Sequence, residues 1–200
     1  MQEQNFLFHL VASLIGMAII STNVGAKEID TNTWISILRT EAVSKGISGS
    51  TVDQAFANFT PIKRVVELDR NQPEFTLTFE QYLSRVVPKK RVTKGRQKLA
   101  ENNILLTNIG EKYGVQPRFI VALWGIETDF GRIGGGFSVV HSLATLAIDG
   151  RRRVFFRGQL IRALRILDQG HITLERMRGS WAGAMGQFQF MPSSFEIFAV

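Results

Sequence analysis

The 200-residue sequence contains no cysteine. Disulfides, thiolate metal sites, cysteine nucleophiles and lipid-modified cysteine anchors are therefore excluded. Acid is also scarce: 17 Asp and Glu stand against 24 Lys and Arg, a formal charge of +7. An excess of that sign favours an anionic partner, and nucleic acid, anionic lipid and acidic cell-wall polymer all suit such a field. Glycine and proline together make 23 of 200 residues and charged residues 20%, which does not describe a collagenous, low-complexity or strongly acidic chain. Apolar side chains are plentiful, at 44%. That is enough to close the core of one globular domain.

The apolar run LVASLIGMAII from Leu10 to Ile20 is shorter than the roughly 20 residues a membrane-spanning helix needs. Small residues follow at Gly25 and Ala26, so residues 1–26 read as a cleavable signal peptide, although Glu3 and no Lys or Arg precedes the run. Its removal takes away one acid and no base, leaving 24 minus 16, or +8.

Beyond it the pattern is mainly helical. Segments from Trp34 to Val43 and Val52 to Phe59 have helical apolar spacing behind capping Ser and Thr residues. With Pro61 and Pro73 as breaks, the stretch Ile62 to Phe79 is the place for short extended pieces. Six basic residues without an acid lie between Lys89 and Lys98, a solvated helix face or a polyanion contact. One long helix is expected from Val92 to Tyr113, closed by Gly114, and another from Pro117. In that next helix Phe119, Ile120, Val121, Leu123, Trp124 and Ile126 leave almost no polar face, the pattern of a helix packed on all sides. Helices from Val139 to Ala147 and Val154 to Asp168 complete the body. Ser193 and Glu196 read as a capping box opening a helix that the chain leaves after one or two turns at Val200, so the natural polypeptide is expected to continue.

Glu127 ends the apolar helix, with Leu123 four residues back and Trp124 three back on its face. Burial there raises a carboxyl pKa and suits a general acid; a buried Glu satisfied by an amide or an Arg reads equally well. A conventional glycosidase needs a second carboxylate. Asp129 points elsewhere around the helix, and Asp149 reads as a cap or ion-pair partner. A lone acid suits a substrate that supplies its own nucleophile.

Other chemistries find little support. His141 and His171 lack metal-ligand spacing, Gly134 to Gly136 read as a plain turn, and Ser180 is not in a nucleophile elbow. In Gly179 to Pro192, GSWAGAMGQFQFMP, small residues allow close backbone approach. Gln187 and Gln189 among aromatics fit either a sugar-binding surface or a tight turn with core aromatics. Arg151, Arg152 and Arg153 read as a solvated basic turn.

Three ordered stretches resemble the lytic murein transglycosylases of the membrane-bound B type and their soluble periplasmic relatives: Leu123 to Gly131 (LWGIETDFG), Leu143 to Leu146 with Asp149 to Arg152, and Met177 to Pro192. The resemblance implies a mainly α, lysozyme-like fold. It divides the chain into the signal peptide 1–26, an N-terminal helical segment 27–91 with short extended pieces, and a catalytic core 92–200. The family's chains continue past the position of Val200, so the C-terminal part of the core is expected to be missing. The implied activity is cleavage of the MurNAc-GlcNAc β-1,4 bond of peptidoglycan with a 1,6-anhydro end, without metal or cofactor. Glu127 takes the place of the catalytic acid, while Ser180, Gln189, Arg151 and Arg152 take the places of substrate-binding residues. With no lipid-accepting Cys, the resemblance points to a soluble periplasmic protein whose partner is the glycan strand, not nucleic acid or membrane. Should the cleft be incomplete, a non-catalytic peptidoglycan-binding fragment is the alternative.

Overall fold

A computed structural model describes residues 30–71 and 77–199. The expected signal peptide lies outside the described residues. Helices α1 (Thr31–Ser44) and α2 (Gly49–Phe56) begin where Asp30 and Ser48 supply side-chain acceptors, to the amides of Thr33 and Thr51. The stretch expected to be extended instead holds α3 (Lys63–Arg70). Its β-branched residues suggest a strand, but Val65 and Asp69 lie four apart and are both buried, which places them on one helix face. Helix α4 (Phe79–Val86) opens on a reciprocal capping box between Thr78 and Gln81.

The single helix expected from Val92 is two. Helix α5 (Lys89–Glu101) ends and α6 (Asn103–Tyr113) begins at Asn102, whose side-chain amide turns back to the Lys98 carbonyl at 2.9 Å. Short amide side chains compete with the helix ladder in this way. Gly114 then takes the left-handed conformation that stops α6, at φ +67°. Pro117 occupies the first position of α7 (Pro117–Thr128).

The remainder is α8 (Val139–Asp149), α9 (Arg153–Asp168) and α10 (Pro192–Phe198), with two short strands, β1 (Phe137–Ser138) and β2 (Arg178–Gly179). The strands pair antiparallel, Phe137 opposite Gly179 and Ser138 opposite Arg178. The Ser193–Glu196 capping box is not formed. Met191 caps α10, while Gln159 on α9 grips Ser193 by two bonds of 2.9 Å and Glu196 pairs with Arg162 and Arg165. Those residues dock α10 against α9.

Two apolar clusters organise the helices. The larger joins Leu38, Val52, Phe56 and Val65 to α8 and α9 through Leu143, Phe156, Leu160 and Leu164. Helix α8 is its axis: from Val139 to Ala147 every residue except His141 is buried. The smaller cluster holds Leu106, Val121 and Phe130, with Leu99, Ile120 and Trp124 packed on it. Helix α7 belongs to this small cluster, so the helix packed on all sides is α8 and not α7. Phe119 and Leu123 are each 54% exposed.

A polar joint closes the larger unit. Asp168, at the end of α9, accepts from Ser48 N at 3.2 Å, Ser48 Oγ at 2.5 Å and Thr51 Oγ1 at 2.7 Å. The hydroxyl bonds, Ser48 first, hold its carboxyl below the usual carboxylate range. A carboxyl depressed on folding stabilises the protein fully above about pH 4, and the contribution is lost as the pH falls through the lowered folded value. Asp168→Asn is expected to lower Tm by a few degrees at neutral pH, with the gap to the parent narrowing in melts taken down to about pH 3.

Candidate active site

Glu127 stands on the last turn of α7, and the residues after it reverse the chain sharply. Asp129, Phe130 and Gly131 take φ of +50°, +63° and +80°. Consecutive left-handed residues are costly for side chains other than glycine and persist only where their surroundings hold them. Here Phe130 folds back onto its own helix, its ring edge-on to Trp124 at 5.6 Å between centroids. Gly125 makes the space: a Cβ there would lie 2.7 Å from the tip of the ring. The ammonium of Lys94 sits 5.2 Å over the other part of this aromatic system, above the Phe130 ring centre.

Asp129 is held just as firmly. Its carboxylate meets Arg132 at 2.6 Å, Lys94 at 3.7 Å and Arg91 at 3.8 Å, and its carbonyl accepts from Lys94 Nζ at 3.2 Å. The Arg132 hydrogen bond above all, with Lys94 and Arg91 adding to it, holds the Asp129 carboxyl below the usual range. Two of the basic residues between Lys89 and Lys98 therefore face α7 as internal partners.

The same end of α7 is fastened to the loop between β2 and α10. Trp124 Nε1 donates to Gln187 Oε1 at 2.6 Å, and Thr128 Oγ1 donates to the Gln187 carbonyl at 2.8 Å and accepts from Gly131 N at 2.9 Å. The loop is wound tightly on itself. Ser180 N donates to the Ala184 carbonyl at 2.7 Å and Ser180 Oγ accepts from Ala184 N at 3.1 Å. A Cβ on Gly179 would lie 2.0 Å from that carbonyl, so the backbone passes where no side chain fits. Gln189, itself at φ +49°, donates through Nε2 to the carbonyls of Gly134 and Gly186 at 3.2 and 2.9 Å. Gly134 to Gly136 are thus more than a plain turn, because Gly135 packs against the backbone of Gly179.

Glu127 itself is exposed, which corrects the expectation of a carboxyl buried among apolar neighbours. The cause is the small size of the cluster beneath α7, which covers Val121 and Gly125 but not Leu123 or Ile126. Among the described residues the Glu127 side chain has no hydrogen-bond or ion-pair partner. It is a lone carboxylate beside an exposed apolar strip, on a helix end fixed from two sides.

The arginines lie in the turn between α8 and α9. Arg151 and Arg152 both reach Asp69 of α3, and beside them Asp149 pairs with Arg70 at 2.7 Å. The solvated basic turn is thus anchored. Among the described residues no group of three or more His, Asp or Glu side chains is placed to hold a metal.

The mainly helical body, the end of α7 and the glycine-rich loop bonded to it all fall within the span of a matching family model. Residues 30–200 match the Transglycosylase SLT domain, and the chain belongs to that family. It is 40% identical over 96 residues to membrane-bound lytic murein transglycosylase B of Escherichia coli K12, a span covering 48% of this chain and 27% of that protein. The fold superposes on SltB3 from Pseudomonas aeruginosa, solved with NAG-NAM-pentapeptide, with a TM-score of 0.81 and 42% identity over 84% of this chain and 45% of that one. SltB1 from Pseudomonas aeruginosa, a soluble lytic transglycosylase, matches with a TM-score of 0.77 and 28% identity, covering 84% and 57% of the two chains. The chain thus spans about half the length of these solved relatives, and they establish the lysozyme-like lytic transglycosylase fold.

Sequence reasoning missed the supports of α7. Gln187 gave no signal that separated it from Gln189, and the roles of Trp124 Nε1 and Thr128 depend on a loop residue 63 and 59 positions away. Gly125 was legible only as part of a motif. Its role is tested by Gly125→Ala, expected to cost about 1–3 kcal/mol in denaturant unfolding because the Phe130 ring must move. Adding Phe130→Leu should recover part of that loss.

Proposed function

We propose that the protein is a peptidoglycan lytic transglycosylase, with Glu127 as its acid and base. The observation that carries the reading is the lone carboxylate of Glu127, with the nearest alternative, Asp129, committed to three cations. Family membership supports it, as does the similarity to a protein solved with NAG-NAM-pentapeptide.

In the proposed reaction Glu127 gives its proton to the oxygen linking MurNAc to GlcNAc, and the bond from that oxygen to the MurNAc anomeric carbon breaks. The N-acetyl carbonyl oxygen of the same sugar attacks this carbon and closes an oxazolinium ring. The Glu127 carboxylate then takes the proton of the C6 hydroxyl, whose oxygen displaces the acetamido oxygen and closes the 1,6-anhydro ring. Glu127 ends protonated, as it began, and no water is consumed.

The substrate-binding roles go to four side chains. Ser180 and Gln189 belong to the loop that Gln187 fastens to α7, Gln189 keeping its Oε1 for a sugar hydroxyl or acetamido group. Arg151 and Arg152 face the acidic parts of the strand. The same reading has residues 1–26 direct export to the periplasm, with glycan strands and not nucleic acid as the partner. No described helix is long and apolar enough to cross a membrane.

The exposure of Glu127 and of Leu123 favours one second reading, a fragment that binds peptidoglycan without cleaving it. Incubation with purified sacculi separates the two. The first reading expects 1,6-anhydro muropeptides, reduced about a hundredfold or more in Glu127→Gln. Co-sedimentation without products supports the second, and an equally active Glu127→Gln variant rules out the assigned acid.

A further inference from the structure

Gln187 is exposed, yet its side chain is held in one orientation. Trp124 Nε1 lies 2.6 Å from Oε1, and an indole N–H can only donate, so the oxygen is the end of the amide that faces it. The amide passes directly over Gly131, where a Cβ would lie 2.6 Å from the same oxygen. The backbone carbonyl of Gln187 accepts from Thr128 Oγ1 at 2.8 Å. A residue that only anchored Trp124 would need an acceptor and nothing more. Gln187 also carries Nε2, and among the described residues neither of its protons has an acceptor.

Gln189, two residues on, is fixed in the opposite sense. Its Nε2 is taken by the carbonyls of Gly134 and Gly186 at 3.2 and 2.9 Å, which leaves Oε1. The loop therefore offers a donor at Gln187 and an acceptor at Gln189, both along the segment 131–134. That is the complement of a secondary amide, whose carbonyl accepts and whose N–H donates. A carboxylate has no donor for Gln189, and a hydroxyl, able to do either, needs no such pair.

We infer that Gln187 is a specificity-determining residue whose Nε2 donates to the carbonyl oxygen of a 2-acetamido group, so that N-acetylated sugars are selected. The inference rests on the proposed function for the identity of the strand. In that reaction the MurNAc carbonyl is the nucleophile, and a donor on it would withdraw charge, so the amide assigned to Gln187 is that of a GlcNAc unit. Because Trp124 orients the donor before a ligand arrives, the bond forms with little loss of rotamer freedom.

Two neutral probes, the β-1,4 tetramers of GlcNAc and of glucose, test this by calorimetry without cleavage, since they differ only in bearing an acetamido or a hydroxyl group at C2. The parent protein is expected to favour the GlcNAc tetramer by about fivefold, the scale of one hydrogen bond between neutral groups. Gln187→Glu keeps an oxygen for Trp124 and replaces the donor by an acceptor. It should reduce the preference to about twofold or less, with the glucose tetramer bound as by the parent. An unmoved Trp124 Nε1–H resonance in this variant verifies that the anchor survives, and a purely structural Gln187 would then leave the preference intact. A retained preference in Gln187→Glu, or equal binding of both tetramers by the parent, overturns the inference. Should the variant not fold or lose the Trp124 bond, the parent decides: its Gln187 side-chain NH2 resonances should move on saturation with the GlcNAc tetramer, and unmoved resonances refute the contact. Failure to cleave sacculi with the preference intact would count against the proposed reaction and not against the role of Gln187.

Discussion

The phenyl ring of Phe130 lies over Gly125 because the chain turns left-handed immediately after α7. That reversal is unfavourable for Asp129 and Phe130 by about 1–3 kcal/mol each, and it is held by contacts on both residues. Asp129 is bound by Arg91, Lys94 and Arg132, and Phe130 is packed against Trp124 and covered by Lys94. With the turn in place, Trp124 and Thr128 meet Gln187. The loop carrying Gln187 is continuous with β2, which pairs with β1 at the start of α8. A line of contacts thus runs from the axis of the large core to the last turn of α7, and the position of Glu127 depends on it.

The scarcity of acid seen in the composition has a counterpart in the fold. Asp129 serves three cations, while Asp69 and Glu196 each serve two arginines. Each of these joints fastens one element to another and leaves positive charge over. The surplus is therefore distributed at the fastenings of the fold, where basic side chains are ordered before any anion arrives. Exposed ion pairs contribute little to stability, so the significance of these joints lies in geometry and in the field they present.

Much of the helical plan was readable from residue pattern: the capped starts of α1 and α2, Gly114 and Pro117 between α6 and α7, and the apolar stripe of α9. Local signals failed where long-range partners decide. The stretch Ile62 to Phe79 suggested short extended pieces, but burial of Val65 with Asp69 against the α8 side makes residues 63–70 a helix. The composition of α7 suggested complete burial, and no residue pattern indicates how small the cluster beneath it is. The site was legible in part. Glu127 and the glycine-rich loop stood out through their chemistry and motif, whereas Asp69 lay in a segment read as extended and gave no hint of its arginine partners 82 and 83 residues on.

A lone acid working on a substrate that attacks itself is the central claim, and it concerns the fate of water. Digestion of purified sacculi in heavy-oxygen water, followed by mass spectrometry of the released muropeptides, measures this directly. The account predicts anhydro products of unaltered mass, because the new bond at the anomeric carbon is made by the sugar's own C6 oxygen. Reducing-end products carrying the heavy oxygen would contradict it, since a solvent molecule would then be the nucleophile.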